Sequence, residues 1–174
     1  MKATSLLKQQ HREVESLFQA IESGEGELLE RVEDLADALV AHMAIEHELF
    51  YPAARDAAED LVLEAFEEHA SAEVALKRLL ATDLFDPSFK AKVLVLKELV
   101  LHHVEEEEGE LFPKVEAALG DDANEELGAE MEALFEEALQ EGHEAALGRR
   151  VPKTTADAAR IRVTDASRES SASL

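Results

Sequence analysis

The stretch His103-Val104-Glu105-Glu106-Glu107-Glu108-Gly109-Glu110-Leu111-Phe112-Pro113 decides how this chain is read. On a helix, residues four apart lie on one face, one turn apart, so His103 and Glu107 point the same way. An imidazole and a carboxylate sharing a face make a pair of metal ligands. The same pattern occurs earlier: His42-Met43-Ala44-Ile45-Glu46, then Leu49-Phe50-Tyr51-Pro52. In both places Glu follows His by four residues, and a proline closes the segment ten residues on.

Working outward, each pair ends an apolar stripe of identical spacing. One stripe is Val32, Leu35, Leu39, His42, Glu46, and the other is Val93, Leu96, Val100, His103, Glu107. Two further helices carry the reverse order, polar pair first. His11 and Glu15 precede Phe18 and Ile21, and His69 and Glu73 precede Leu76 and Leu79. Alternating helix direction then brings four histidines to similar depth at one end of a bundle, with an ordinary apolar core at the other. A lone histidine on an apolar stripe is usually a hydrogen-bonded core residue. Four in matching register, with acids beside them, need partners that a metal pair satisfies together.

The expected fold is therefore all-α: an antiparallel up-down-up-down four-helix bundle over residues 1–147, with an additional C-terminal helix. Thr4 or Ser5 is expected to cap the first helix, which ends at Ser23-Gly24-Glu25-Gly26. The second helix runs from about Glu27 to Tyr51, where Pro52 bends or stops it. The third runs from about Asp60 to Ala81. Asp86 and Pro87 read as the cap and first turn of the fourth, which ends near Gly120. Asp121 or Asp122 is expected to cap the fifth, an amphipathic helix holding Leu127, Met131, Leu134, Phe135 and Leu139. Residues 148–174, rich in Ser, Thr, Ala and Arg, read as a disordered tail.

Composition narrows the function. The net charge of −23 argues against nucleic acid and anionic membranes as partners. With no cysteine, disulfides, iron–sulfur clusters and thiolate zinc sites are excluded. Neither a signal peptide nor a membrane-spanning run is visible, so a cytoplasmic location is expected. There is no Glu-x-x-His pair of the ferritin-like type and no His-Glu-x-x-His of a zinc protease.

Mixed imidazole and carboxylate donors suit iron, manganese or zinc better than calcium. Six donors, His11, His42, Glu46, His69, His103 and Glu107, suit two octahedral ions bridged by Glu46 and Glu107. Glu15 and Glu73 are candidates for further donors or for orienting the ligands. His47, His102 and His143 read as surface or supporting residues, with His143 facing solvent. Glu105, Glu106, Glu108 and Glu110 read as a solvated face. Tyr51, the sole tyrosine, reads as a bundle-end residue whose hydroxyl could donate to a bound oxygen species.

These residues, in this order and spacing, resemble the hemerythrin-like, HHE cation-binding domain family over roughly residues 5 to 145. The resemblance implies a non-haem di-iron centre held by the six residues. It also implies binding or sensing of oxygen, nitric oxide or peroxide; the family also includes proteins linked to iron–sulfur repair. An iron-handling or peroxide-consuming stress-response role, or a metal-stabilised interaction module, is the alternative. Oxygen-carrying members have a second histidine four residues after that of the third helix. Here that position is Glu73, which argues against reversible oxygen carriage. No protein partner is indicated.

Overall fold

The computed structural model describes residues 1–147, all of whose regular structure is helical. The expected tail, residues 148–174, lies outside the described residues. Helix α1 spans Ala3–Ser23, α2 Leu28–Ile45, α3 Tyr51–Leu80, α4 Phe89–Glu106 and α5 Phe112–Leu147. Helix α1 packs along α2, α3 along α4, and α5 lies against α1 and α2. Among the described residues no helix is long and apolar enough to cross a membrane.

Two short π-helical segments join these helices, Glu46–Phe50 before α3 and Glu107–Leu111 before α5. Each begins at the glutamate of a His/Glu pair. The Tyr51 N–H donates to the Glu46 carbonyl and the Phe112 N–H to the Glu107 carbonyl, five residues back rather than four. This replaces the expected stop at Pro52: the chain widens by a residue per turn and the proline falls just inside the next helix. In an unbroken α-helix Tyr51 would point about 140° away from Glu46. The wide turn brings it round, and Phe50, Tyr51, Leu111 and Phe112 are all buried. Helix α3 breaks at Ala58, close to the expected start of the third helix near Asp60, and α5 breaks at Gly120, where φ is 72°, at the expected end of the fourth helix.

Helix starts differ from the sequence reading. The Thr4 hydroxyl does not cap α1; it donates to Glu116 Oε1 at 2.7 Å. The Asp86 side chain accepts from the Ser88 N–H and hydroxyl at 2.8 and 2.7 Å, forming a turn, so α4 begins at Phe89. His143, expected to face solvent, is buried. Gly142, at φ 72°, turns the chain so that the His143 N–H and ring Nδ1 meet Asp37 Oδ1 at 2.7 and 2.5 Å.

The core is divided. One apolar cluster holds Val14, Phe18, Val32, Leu35, Leu76, Leu79, Val93 and Leu96. A second holds Leu7, Ile45, Phe50, Tyr51, Val62, Leu111, Phe112 and Met131. Helices α1 and α3 pass from the second cluster through a histidine to the first, while α2 and α4 pass the other way. The histidines therefore share one depth, as expected, but they do not cap an end. The polar layer lies between two apolar clusters because Met131 of α5 and the residues after each His/Glu pair build a second core beyond it.

Helix α5 meets the start of the chain closely. A Cβ on Gly128 would fall 2.1 Å from the Met1 carbonyl oxygen and 2.7 Å from the Ala3 nitrogen. Both are backbone atoms that cannot turn aside. Gly128→Ala should destabilise the protein by about 1–3 kcal/mol in urea unfolding. A change below about 0.5 kcal/mol would show that α5 does not dock this way.

Candidate metal centre

Helices α1 to α4 each deliver one histidine to the buried layer, His11, His42, His69 and His103, and the two π segments open with Glu46 and Glu107. All six side chains are buried. The Nε2 atoms of the four rings converge on the two carboxylates. His42 Nε2 is 3.1 Å and His69 Nε2 3.3 Å from Glu46 Oε2. His11 Nε2 and His103 Nε2 each lie 3.5 Å from Glu107 Oε2, and His69 Nε2 is 2.9 Å from His103 Nε2. Ligand atoms of His11, His42, Glu46 and Glu107 lie within 4.8 Å of one another, as do those of Glu46, His69 and His103. Glu46 is common to both groups. Neighbouring donors on an octahedral ion with bonds near 2.1 Å stand about 3 Å apart, so this spacing suits metal coordination.

The outer faces of the rings are already engaged. His11 Nδ1 meets Glu108 Oε1 at 2.8 Å, and His103 Nδ1 meets Glu68 Oε2 at 2.8 Å. His42 Nδ1 meets Gln10 Oε1 at 2.9 Å, and His69 Nδ1 meets His47 Nε2 at 2.8 Å. The carboxylate and amide oxygens can only accept, so those Nδ1 atoms carry the hydrogen and their Nε2 lone pairs face inward. The buried His11 Nε2, both oxygens of Glu46 and Glu107 Oε2 have no hydrogen-bond partner. Leaving such groups unmatched costs about 1–3 kcal/mol each, more when charged. Their chemistry fits a bound cation.

Several positions differ from the sequence reading. Glu15 pairs with Arg12 at 2.5 Å and Glu73 with Lys77, so neither reaches the centre. Glu108 is not simply solvated, because α1 lies against it: it holds His11 and also accepts from Arg12. His47 is an outer partner of His69, while His102 is exposed. Tyr51 is wholly buried, donates to Glu107 Oε1 at 3.1 Å and lies 3.3 Å from His69 Nε2. Gln10 and Glu68 were not singled out by sequence reasoning. The repeat held the signal: each immediately precedes a ring-layer histidine, and His47 and Glu108 each immediately follow the paired glutamate.

Titration reflects the crowding. Burial, reinforced by neighbouring imidazoles, holds His42 and His69 well below the usual histidine range. Burial also lowers His103, but Glu107 and Glu68 outweigh it and raise the group overall. Burial and the charge of Glu107 push Glu46 well above the carboxylate range. Burial pushes Glu107 the same way, but His103 and His11 prevail and hold it low. Burial raises Tyr51, followed by Glu46 and Glu107, so the phenol stays a donor.

Residues 2–115 match the hemerythrin HHE cation binding domain. The chain belongs to this family. A hemerythrin HHE cation binding domain-containing protein from Mycobacterium kansasii has a similar crystal structure. It is 28% identical with a TM-score of 0.72, over 92% of this chain and 98% of that one. The chain is also 26% identical over 136 residues to a DNA nickase of Nostoc sp. (strain PCC 7120 / SAG 25.82 / UTEX 2576). That match covers 76% of this chain but 39% of the relative. Family membership and the two His/Glu groups together point to metal binding.

The titration pattern gives a signed expectation. Metal ligands must be deprotonated. Burial favours the neutral, ligating form of His42 and His69, whereas Glu46 and His103, both raised, hold the proton they must give up to bind to higher pH. Zinc uptake should release protons, and affinity should rise with pH through the range in which Glu46 and His103 titrate. Calorimetry in buffers of different ionisation enthalpy measures this. Affinity independent of pH, with no proton release, would contradict the assignment.

Proposed function

We propose that this hemerythrin-family protein holds a non-haem di-iron centre through His11, His42, Glu46, His69, His103 and Glu107, and binds or senses a small diatomic or oxidant there. Oxygen, nitric oxide and peroxide are the ligand candidates. The single observation that carries the reading is the convergence of four inward Nε2 atoms on two shared carboxylates, with every Nδ1 engaged outside. Glu46 and Glu107 are the bridging candidates. Manganese and zinc remain the competing ions for the same donor set.

The wider reading is an antiparallel up-down-up-down four-helix bundle of α1 to α4, with α5 added, forming one domain over residues 1–147 of a cytoplasmic protein. The opposed order of the two apolar clusters along successive helices supports the antiparallel arrangement. Nucleic acid stays outside the proposal despite the nickase match, because a net charge of −23 repels phosphate.

When bound, iron would supply a ferrous–ferric couple and open coordination positions. The chain's own residues set the conditions. A cavity of about 20 Å³ adjoins the four rings, lined on its apolar side by Val14, Leu39, Met43, Val100 and Val104. That is room for one water-sized or diatomic guest. Its apolar walls limit competing water. Tyr51, held neutral by burial, positions Glu107 and offers the hydroxyl nearest the His69 side.

An enzyme-like role in peroxide consumption or iron handling uses the same donors, and catalytic decay of added peroxide favours it. Zinc alone, as in a purely structural module, gives no metal absorption. The proposal expects iron in the purified protein and near-ultraviolet bands that change with azide or nitric oxide. His103→Ala or Glu107→Ala should remove most of the metal while circular dichroism shows helix content largely kept. Full metal retention in either variant would overturn the ligand assignment.

A further inference from the structure

Helix α4 and the first residue of the π segment after it carry two His-x-x-x-Glu pairs in adjacent registers. His103 and Glu107 face the buried layer. His102 and Glu106, one residue earlier, face outward, with His102 Nε2 3.4 Å from Glu106 Oε1. Across the helix pair, Glu68 of α3 places Oε1 3.6 Å from the same His102 Nε2. Its other oxygen, Oε2, accepts from His103 Nδ1 at 2.8 Å. One carboxylate thus stands between an outward imidazole and an inward one. Ligand atoms of Glu68, His102 and Glu106 all lie within 4.8 Å of one another.

The two halves of the chain differ sharply here. The positions matching Glu68, His102 and Glu106 in the other half are Gln10, Ala41 and Ile45, all buried. That half keeps the neutral Gln10 as outer partner of its histidine and offers no second donor group. The outer trio occurs only on the side where His102 is open to solvent, with 63% of its side chain exposed. Glu68 also lines the small cavity against the four ring-layer histidines. Glu68 is thus shared between the outer trio and the ring layer.

We propose that Glu68, His102 and Glu106 form an outer site for a divalent transition-metal cation, and that Glu68 passes the ion inward to the buried donors. The outer site stands on its own residues; the transfer step rests on the reading that the six inner residues hold metal. One imidazole and two carboxylates, open on one side, suit a partly hydrated ion held less tightly than at the enclosed inner site. A site that loads another must release its ion, so weaker holding is consistent with the role. No bond to carbon, oxygen or nitrogen is made or broken apart from metal coordination, and no electron is transferred.

The test uses the full chain and zinc alone. Calorimetric titration of the metal-free protein should show tight inner uptake followed by one weaker equivalent. The double variant His102→Ala, Glu106→Gln should lose the weaker equivalent and keep the tight uptake, while Glu105→Gln, on the same helix, should keep both. Persistence of the weaker equivalent in the double variant, or its absence from the natural protein, would overturn the outer site. Loss of tight uptake in the natural protein would instead overturn the inner reading, and the equivalent that depends on His102 is read separately from it. In stopped-flow cobalt uptake, the double variant should fill the inner site more slowly to the same final occupancy. Equal rates would overturn the transfer step.

Discussion

Four imidazoles and two carboxylates are buried in one layer with apolar clusters above and below, and this constrains everything else in the molecule. Removing such groups from water costs several kcal/mol per ion unless each finds a partner. The protein meets half of the demand itself, by giving every ring an outer hydrogen-bond partner at Nδ1. The inner half is left to a cation, which can satisfy nitrogen lone pairs and carboxylate oxygens at once. The unmatched oxygens of Glu46 and Glu107 are the clearest sign of this division.

The backbone is shaped to the same end. A π segment starts at each layer glutamate, so the glutamate and the buried pair beyond it, Phe50 and Tyr51 or Leu111 and Phe112, can both turn inward. Phe112 stacks on His11 with ring centres 5.8 Å apart, and Tyr51 lies against His69 at 5.5 Å. These are matching positions in the two halves, but only Tyr51 brings a hydroxyl. The outer partners are likewise matched in place and unequal in charge: Gln10 answers Glu68, and His47 answers Glu108. A repeat that fixes the ligands symmetrically therefore surrounds them with two different electrostatic settings.

Much of this was legible in the sequence. The stripes ending at Glu46 and Glu107 and the reversed order beginning at His11 and His69 were enough to place four histidines at one depth. That inference needs only the period of a helix and the alternation of direction. What periodicity could not reveal was any feature depending on a local change of that period. The π turns moved Tyr51 from a bundle-end position to a hydrogen bond with Glu107, and a 3.6-residue repeat has no means to signal that shift. The second apolar cluster was missed because Met131 lies in a helix whose docking depends on Gly128 fitting against the chain start. Glu73 has the right spacing to be a donor, yet Lys77 one turn on holds it at the surface. His143 was read from its neighbourhood in sequence, whereas Asp37, far away in the chain, determines its burial.

The most direct test of a cation-dependent polar layer is thermal unfolding of the same preparation stripped of metal and then reloaded. Binding confined to the folded state stabilises by about 4 kcal/mol at a thousandfold excess over the dissociation constant. The account predicts a melting temperature that climbs with metal concentration, and a climb that disappears when Glu46 and Glu107 are both replaced by alanine. Identical melting of stripped and reloaded protein would contradict it.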